Sequence, residues 1–470
     1  MRPFNFASAT SLLFGVHHAL AIELNLDDET SIKNAAKTIA ANVVKLYPTG
    51  PGTSPGVFAE KYYWWEAGLA FDSLVNYWSL TGDDEYVEIT QQALLFQVGP
   101  QDNYMPTNQT KSLGNSDQSA WALAAMTAAE RGFPMANGQN VSWVQLAANA
   151  FDSQVELWDQ STCNGGLRWQ KFTFSSGYDY KNSESNGEFT ELAGRLARFT
   201  GNQTYADWAV KSYNWSQNIG LVNVGEGLAF VYDGTNVAGN CSKINQQAWS
   251  QNAGIYLSAT AYMSNFTNGS SPWLDLEQSF TDGSIHFFAP RNIMTEVACQ
   301  TSGTCNTDML AFRAILARGF ADLAAYGTQS NAGSSSESNS NWPQSIQKVL
   351  QTSAKGAAGQ CSGGDNGTTC GMSWNSTTWD GTSGLGQDLS ALEVILANLP
   401  RGSLHNVNST GSSTTVTPPS SATTTPTASS STSSTPAATT TAAKGNGVKA
   451  SSVSSFSIAG AILFAVCMLL

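Results

Sequence analysis

Apolar residues recur at three- and four-residue spacing through nearly all of the stretch from Ile22 to Pro400, and β-branched alternating runs are few. A chain with that pattern has to pack helices against helices. The spacing predicts helices over 29–46, 61–80, 83–98, 116–132, 141–160, 184–200, 203–218, 246–264, 271–288, 306–327, 341–356 and 385–399. Two joins repeat one another: Thr81-Gly82-Asp83-Asp84-Glu85-Tyr86 and Thr200-Gly201-Asn202-Gln203-Thr204-Tyr205. In both, Gly stops one helix and Asp or Asn is expected to cap the next. About twelve helices in hairpins are what an all-α (α/α)6 barrel requires, a toroid whose inner helices line a funnel; an open α-solenoid is the alternative. The long Gly- and aromatic-rich loops favour the closed toroid, because loops of that kind build sites.

The flanks have a different character. Leu12 to Leu20 is a short apolar run behind Arg2, closing with Ala19-Leu20-Ala21, which reads as a secretory signal over residues 1–21. Residues 401–444 are dominated by Ser, Thr, Pro and Ala, a composition expected to form an O-glycosylated, disordered stalk. Residues 445–470 run from Gly445-Asn446-Gly447 through a polar spacer to the apolar Phe456–Leu470, the layout of a GPI-anchor signal that is removed. The expected place is therefore outside the cell, at the outer face of the plasma membrane or in a wall, held through a lipid alone. Sequons such as Asn108, Asn140, Asn202 and Asn375 suit that route.

Seven cysteines are present, and Cys467 falls in the removable tail. The six others make an even set, which in a secreted chain argues for disulfides. Local pairs, Cys299 with Cys305 and Cys361 with Cys370, are expected and leave Cys163 for Cys241, although spacing alone does not fix the connectivity. No CxxC spacing or histidine cluster supports a metal site, and no cofactor is implied. A net charge of −13 at pH 7 counts against nucleic acid as a partner.

One histidine, His286, remains once the signal and stalk are set aside, and neither H-E-x-x-H nor G-x-S-x-G occurs. Carboxylate chemistry on a glycosidic bond is the surviving enzymatic option. Aromatic and polar residues gather in Tyr62 to Gly68, Gly165 to Gln170, Tyr180 to Ser183 and Tyr232 to Gly234, a mixture that suits stacking on sugar faces and binding hydroxyls. Trp64 and Trp65 would equally serve as core packing. The segment Asn115-Ser116-Asp117-Gln118, running into a helix with Trp121 one turn inside, is the candidate catalytic segment; its plainer reading is an ordinary helix cap.

The blocks Tyr63 to Gly68, Gly114 to Gln118, Gly166 to Gln170, Tyr180 to Ser183 with Asn186-Gly187, Leu196 to Gly201, Val231 to Gly234, Cys305 to Asp308, Trp379 to Gly381 and Ala391 to Val394 resemble, in one order, glycoside hydrolase family 76, the endo-α-1,6-mannanases, and its GPI-anchored fungal members. The resemblance implies an (α/α)6 barrel and a retaining mechanism carried by two adjacent aspartates in an N-D-D-Q segment. Here that segment reads N-S-D-Q. By position Asp117 matches the general acid/base, and Ser116 stands where the nucleophile belongs. The implied sugar contacts are Trp64, Trp65, Asn115, Gln118, Trp121, Lys181, Asn182, Asn186, Tyr232 and Asp233. The implied partner is α-mannan or a GPI-glycan oligosaccharide, with a wall polysaccharide as a possible acceptor in fungal wall biogenesis.

Two further departures flank the Asn186-Gly187 pair: Glu184 and Glu188 stand where relatives carry uncharged residues. Either is a substitute for the missing carboxylate, with Glu188 as the first choice, unless both lie exposed on a helix face. Residues 241–252 also depart, with Gln246, Gln247, Ala248 and Gln251. A serine without an adjacent base is a poor nucleophile. A mannan-binding protein that has lost turnover is the alternative to an enzyme.

Overall fold

A computed structural model describes residues 21–328 and 341–407. Among them lie twelve α-helices: α1 Glu29–Leu46, α2 Trp64–Thr81, α3 Val87–Phe96, α4 Asn115–Arg131, α5 Trp143–Val155, α6 Ser183–Thr200, α7 Gln203–Asn218, α8 Ser250–Phe266, α9 Trp273–Phe288, α10 Thr307–Tyr326, α11 Trp342–Gln360 and α12 Leu385–Leu396. Each expected helix is present. The even-numbered helices pack in sequence, α2 on α4, α4 on α6, α6 on α8, α8 on α10 and α10 on α12, and α12 returns to α2. That closure makes the toroid and excludes the open solenoid. The odd-numbered helices form an outer layer, α1 against α12, α5 against α4, α7 against α6 and α9 against α8.

Burial follows the two layers. Helices α8 and α12 of the inner ring are buried almost along their whole length, polar Gln251, Asn252, Gln387, Asp388 and Glu393 included, because the ring surrounds them on every side. Outer α1 keeps a one-sided stripe of Ile32, Ala35, Ala36, Ile39, Ala40 and Val43. Buried charges tie the ring together: Arg318 of α10 bonds Asp72 of α2 and Glu393 of α12, and Arg195 of α6 bonds Glu130 of α4 at 2.7 Å. Losing one partner of such a set leaves an uncompensated buried charge, which costs on the order of 3–5 kcal/mol.

Several helix ends differ from expectation, each for a local reason. Gly82 and Gly201 do stop α2 and α6 in the left-handed conformation, and Asn202 does cap α7, accepting from the Thr204 amide at 2.9 Å. Asp83 does not cap α3. Its carboxylate is taken by Lys37 and by the Tyr77 hydroxyl, so α3 starts four residues later than predicted. Helix α8 starts at Ser250 rather than residue 246 because the preceding residues are drawn into a sheet, where the Gln247 carbonyl accepts from the Asp233 amide at 2.7 Å.

Seven short strands accompany the helices. β1 Tyr180–Asn182, β4 Gly234–Asn236 and β5 Ile244–Asn245 form one antiparallel sheet in the order β1-β4-β5. β2 Val222–Gly225 pairs with β3 Leu228–Val231, and β6 Cys361–Gly363 with β7 Thr369–Cys370. The disulfides join Cys163 to Cys241, Cys299 to Cys305 and Cys361 to Cys370, which settles the connectivity in favour of the local pairs.

Residues 401–407, expected to begin the stalk, lie against the barrel. Leu404 is buried, Arg401 pairs with Asp322 at 2.6 Å, and the amides of His405 and Val407 donate to the carbonyls of Glu130 and Phe199. The rest of the expected stalk, the anchor tail, almost all of the signal and the Ser/Asn/Gly-rich stretch at 329–340 lie outside the described residues. Among the described residues no helix is long and apolar enough to cross a membrane.

Candidate active site

Alternation of inner and outer helices sends all six inner helices the same way, so their N-termini gather at one end of the ring. Each N-terminus carries unpaired amides and the positive end of a helix dipole. Negative charge is favoured there. The carboxyl groups of Glu66, Asp117, Glu184 and Asp308 all sit in the first turns of these helices.

Asp117 is set by Gly114. The helix cap is Gly114 and not Asp117, and Asp117 occupies the third helical position, where its Oδ2 accepts from the Gly114 amide at 2.7 Å. A Cβ at Gly114 would stand 2.6 Å from that oxygen and 3.1 Å from the Trp169 carbonyl, so no larger residue fits. The loop carrying Trp169 is fastened by Asn115, whose amide donates to the Trp169 carbonyl at 2.8 Å and whose side chain donates to the Arg168 carbonyl at 2.8 Å. Lys171 closes the arrangement by donating to Asn115 Oδ1 at 2.7 Å.

In α4 every residue from Asn115 to Glu130 is buried except Asp117. In α6 the residues from Ser183 to Ala197 are buried except Glu184. The ring therefore leaves one acidic residue partly exposed on each of two adjacent inner helices. Glu184 is held from two sides: Gln251 of α8 donates to Oε1 at 2.8 Å and Asn182 to Oε2 at 3.2 Å. Ser116, 4% exposed, brings its hydroxyl to the same carboxyl group.

Burial pushes the Asp117 carboxyl up to about 6; the Gly114 amide opposes this, the Asp308 charge adds to it and Lys171 counters it. Burial pushes Glu184 to about 8, with the Asp117 charge adding and the Gln251 hydrogen bond opposing. Lys171 is brought down to about 7 by burial, with Asp117 pulling it back up. Asp308 is also raised by burial while it accepts from the Trp65 indole at 2.9 Å. Between about pH 6 and 8 the Asp117 and Glu184 pair holds a single proton, the state that acid-and-carboxylate chemistry on a glycosidic bond requires.

The expected sugar contacts divide in two. Trp64 is half-buried near the mouth, stacked on Trp121 at 5.2 Å, and Trp65 meets Asp308. Tyr63 and Trp169, left out of the expected set, are among the exposed aromatic rings at this end. Trp121 itself is fully buried and donates to the Trp64 carbonyl at 3.0 Å, so it supports the floor and meets no ligand. Gln118 is buried and bonds the Asn103 carbonyl and Ser153. Lys181 is buried with its ammonium on the carbonyls of Asp159, Thr162 and Gly165. Asn186 is buried against the Leu167 backbone. Asn115 is likewise committed to its loop. These five are scaffold, because their polar atoms are consumed inside the protein. Asn182 caps α6 and positions Glu184. Asp233 takes the Tyr180 hydroxyl, the Asn245 amide and the Trp249 indole, fastening the β1-β4-β5 sheet to the start of α8. Tyr232 is half-buried, and its carbonyl accepts from Ser183.

Glu188 and Glu184 are not displayed on an outer helix face. Glu188, one turn below Glu184, is 3% exposed with Oε2 unpartnered, and it lines a cavity of about 30 Å3 in the ring's axis with Asp72, Glu191 and Arg318. Among the described residues no group of three or more His, Cys, Asp and Glu side chains is placed to hold a metal ion. The residues given no role by sequence reasoning are Tyr63, Trp169, Lys171 and Asp308, and Gln251, seen there only as a departure, holds Glu184. Asp308 ends the Cys305 to Asp308 block, but nothing in its type separates it from an ordinary first-turn aspartate.

Comparison with known proteins gives a consistent picture. The family described as Glycosyl hydrolase family 76 matches residues 31–409. A mannan endo-1,6-alpha-mannosidase DCW1 of Candida glabrata is 41% identical over 397 residues, 84% of this chain and 85% of that protein. Among solved structures, Dfg5 from Chaetomium thermophilum in complex with glucosamine superposes with a TM-score of 0.76 at 34% identity, covering 82% of this chain and 95% of that one. An inactive variant of an alpha-1,6-mannanase from Salegentibacter sp. HEL1_6, with two adjacent aspartates replaced, in complex with alpha-1,6-mannotriose, gives a TM-score of 0.62 at 18% identity, covering 78% of this chain and 98% of that one. At that identity the likeness is one of fold.

Proposed function

Because this chain belongs to glycosyl hydrolase family 76, we propose that it is a glycosidase that hydrolyses or transfers α-1,6-linked mannose, in wall mannan or in the mannose core of GPI glycans. The observation that carries the reading is Asp117, the one residue that the cleft end of α4 leaves unburied, with its carboxyl group raised toward neutrality. Its relatives named for the same linkage support the substrate class.

In this reading Asp117 protonates the leaving glycosidic oxygen and afterwards takes the proton of the incoming water or acceptor hydroxyl. Trp64, Trp169 and Tyr63 offer ring faces to the sugars. An acceptor hydroxyl from wall polysaccharide in place of water turns hydrolysis into transfer. The composition of the flanks supports a place at the outer face of the plasma membrane or in the wall, and release from intact cells by phosphatidylinositol-specific phospholipase C tests that location.

The test of function is turnover of α-1,6-mannotetraose by the purified protein. Asp117→Asn is expected to lower kcat by roughly 10²–10⁴ while calorimetry still detects α-1,6-mannotriose binding. Ser116 favours a second reading, mannan binding without turnover, and oligosaccharide affinity without product from the unaltered protein would establish it.

A further inference from the structure

A retaining reaction needs two carboxyl groups, and position 116 supplies a hydroxyl instead of one. We propose that Glu184 of α6 replaces the carboxylate missing at Ser116 and is the second catalytic residue, an inference that rests on the glycosidase reading above.

Four observations converge on Glu184. It and Asp117 are the two residues that the cleft ends of α4 and α6 leave unburied, and these helices are neighbours in the inner ring. Ser116 lies close enough to the Glu184 carboxyl group to favour its anion, so the position that lost the acid faces the side chain that supplies one. Gln251 at 2.8 Å and Asn182 at 3.2 Å fix both oxygens, giving the orientation that an attacking group needs before substrate arrives. Glu188, the competing glutamate, lies one turn lower, is 3% exposed and has one carboxyl oxygen without a partner, so it lacks the two-sided hold that Glu184 has. Ser116 on its own is the loss of a carboxylate; Ser116 with Glu184 is its relocation from α4 to α6.

The chemistry balances with no further reagent. A carboxylate oxygen of Glu184 bonds to the anomeric carbon while that carbon's bond to the leaving oxygen breaks. The electron pair stays on the leaving oxygen, which takes the proton of Asp117. The products are a glycosyl ester on Glu184 and an ionised Asp117. Asp117 then removes a proton from water or an acceptor hydroxyl, whose oxygen attacks the same carbon as the ester bond breaks, and both carboxyl groups return to their starting states. Mutual repulsion keeps one proton on the pair, and attack requires that proton on Asp117 and the anion on Glu184, whose two oxygens accept from Gln251 and Asn182. The shared Ser116–Glu184 contact also gives serine a positioning role that alanine would not fill.

The experiment is azide rescue. With α-1,6-mannotetraose as substrate, Glu184→Gln and Glu184→Ala of the purified protein are expected to lose at least about 10³-fold in kcat. Both should still bind α-1,6-mannotriose by calorimetry, which shows that the fold and cleft survive. Sodium azide should restore Glu184→Ala at least tenfold and yield β-mannosyl azide by proton NMR, the azide entering where Glu184 would have attacked. Glu184→Gln retaining more than a tenth of the activity, while Asp117→Asn is inactive, overturns the inference and leaves the glycosidase reading standing. Loss of activity in Glu184→Ala without azide product also overturns it, reducing Glu184 to a positioning group. Absence of turnover in the unaltered protein, with oligosaccharide bound, overturns the glycosidase reading and takes this inference with it.

Discussion

Asp117 sits between a cation and an anion that pull its proton affinity in opposite directions. Lys171 favours the ionised carboxylate and Asp308 disfavours it, on top of the burial that dominates. Removing the cation should therefore raise the pKa of Asp117, and removing the anion should lower it. Activity that needs one proton on the Asp117 and Glu184 pair rises and falls with limbs near pH 6 and 8. Lys171→Met is expected to move the limb of kcat/KM on which Asp117 loses its proton to higher pH, and Asp308→Asn, which keeps an acceptor for the Trp65 indole, to move it lower. Equal shifts of the same sign would remove this electrostatic account of the site. Residue type made Asp117, Ser116 and the two glutamates legible in the sequence, because a serine in place of an acid and acids in place of neutral residues are departures that can be seen. It did not separate ligand-facing polar groups from scaffold. Lys181 and Asn186 are as polar as any sugar contact, and their commitment to carbonyls 16 and 19 residues away has no local signature.

Helices α8 and α10 approach so closely at one crossing that two glycines meet. A Cβ on Gly319 would lie 2.3 Å from the Gly254 carbonyl oxygen and 2.8 Å from its Cα, both rigid backbone atoms. Gly319→Ala is expected to cost about 1–3 kcal/mol through the displacement it forces. A Cβ on Gly359 in α11 would meet nothing within 4 Å, so Gly359→Ala should instead gain up to about 1 kcal/mol of helix propensity. Urea midpoints of the two variants, moving in opposite directions, check both; a harmless Gly319→Ala would mean that the crossing relaxes. From sequence these glycines look alike, interruptions of a helical pattern, and only the packing of the ring distinguishes them. The twelve helices were legible because apolar spacing sustained over ten to twenty residues is a strong signal. The strands were not, being two to four residues long and held by Asp233 and by the Cys361–Cys370 bridge rather than by their own composition.

Closure of the ring buries further acids beside the pair, and this gives the whole molecule a pH dependence of stability. Burial raises Glu66 to about 8 and Glu296 and Asp388 to about 7. In the unfolded chain such groups lose their protons near pH 4 to 4.5. The folded protein thus binds more protons than the unfolded one between those limits, and stability falls as pH rises. The contribution is complete below the unfolded values and is lost progressively up to the folded ones. Asp83, lowered to about 2 by Lys37, works in the opposite sense but below pH 4. The buried Lys171 and Lys181, lowered to about 7 and 8, recover stability as pH rises, but chiefly above pH 7. Between pH 5 and 7 the acids decide the sign, and the net charge of −13 reached at pH 7 adds self-repulsion in the same direction. The melting temperature should fall by on the order of 5 °C between pH 5 and 7.5 at constant ionic strength. Calorimetric scans that show a flat or rising Tm over that interval would mean that these carboxyl groups are ionised in the folded ring and paired within it. A falling Tm fits a barrel that is most stable at acidic pH, where the same desolvation that raises Glu184 and Asp117 keeps the other buried acids neutral.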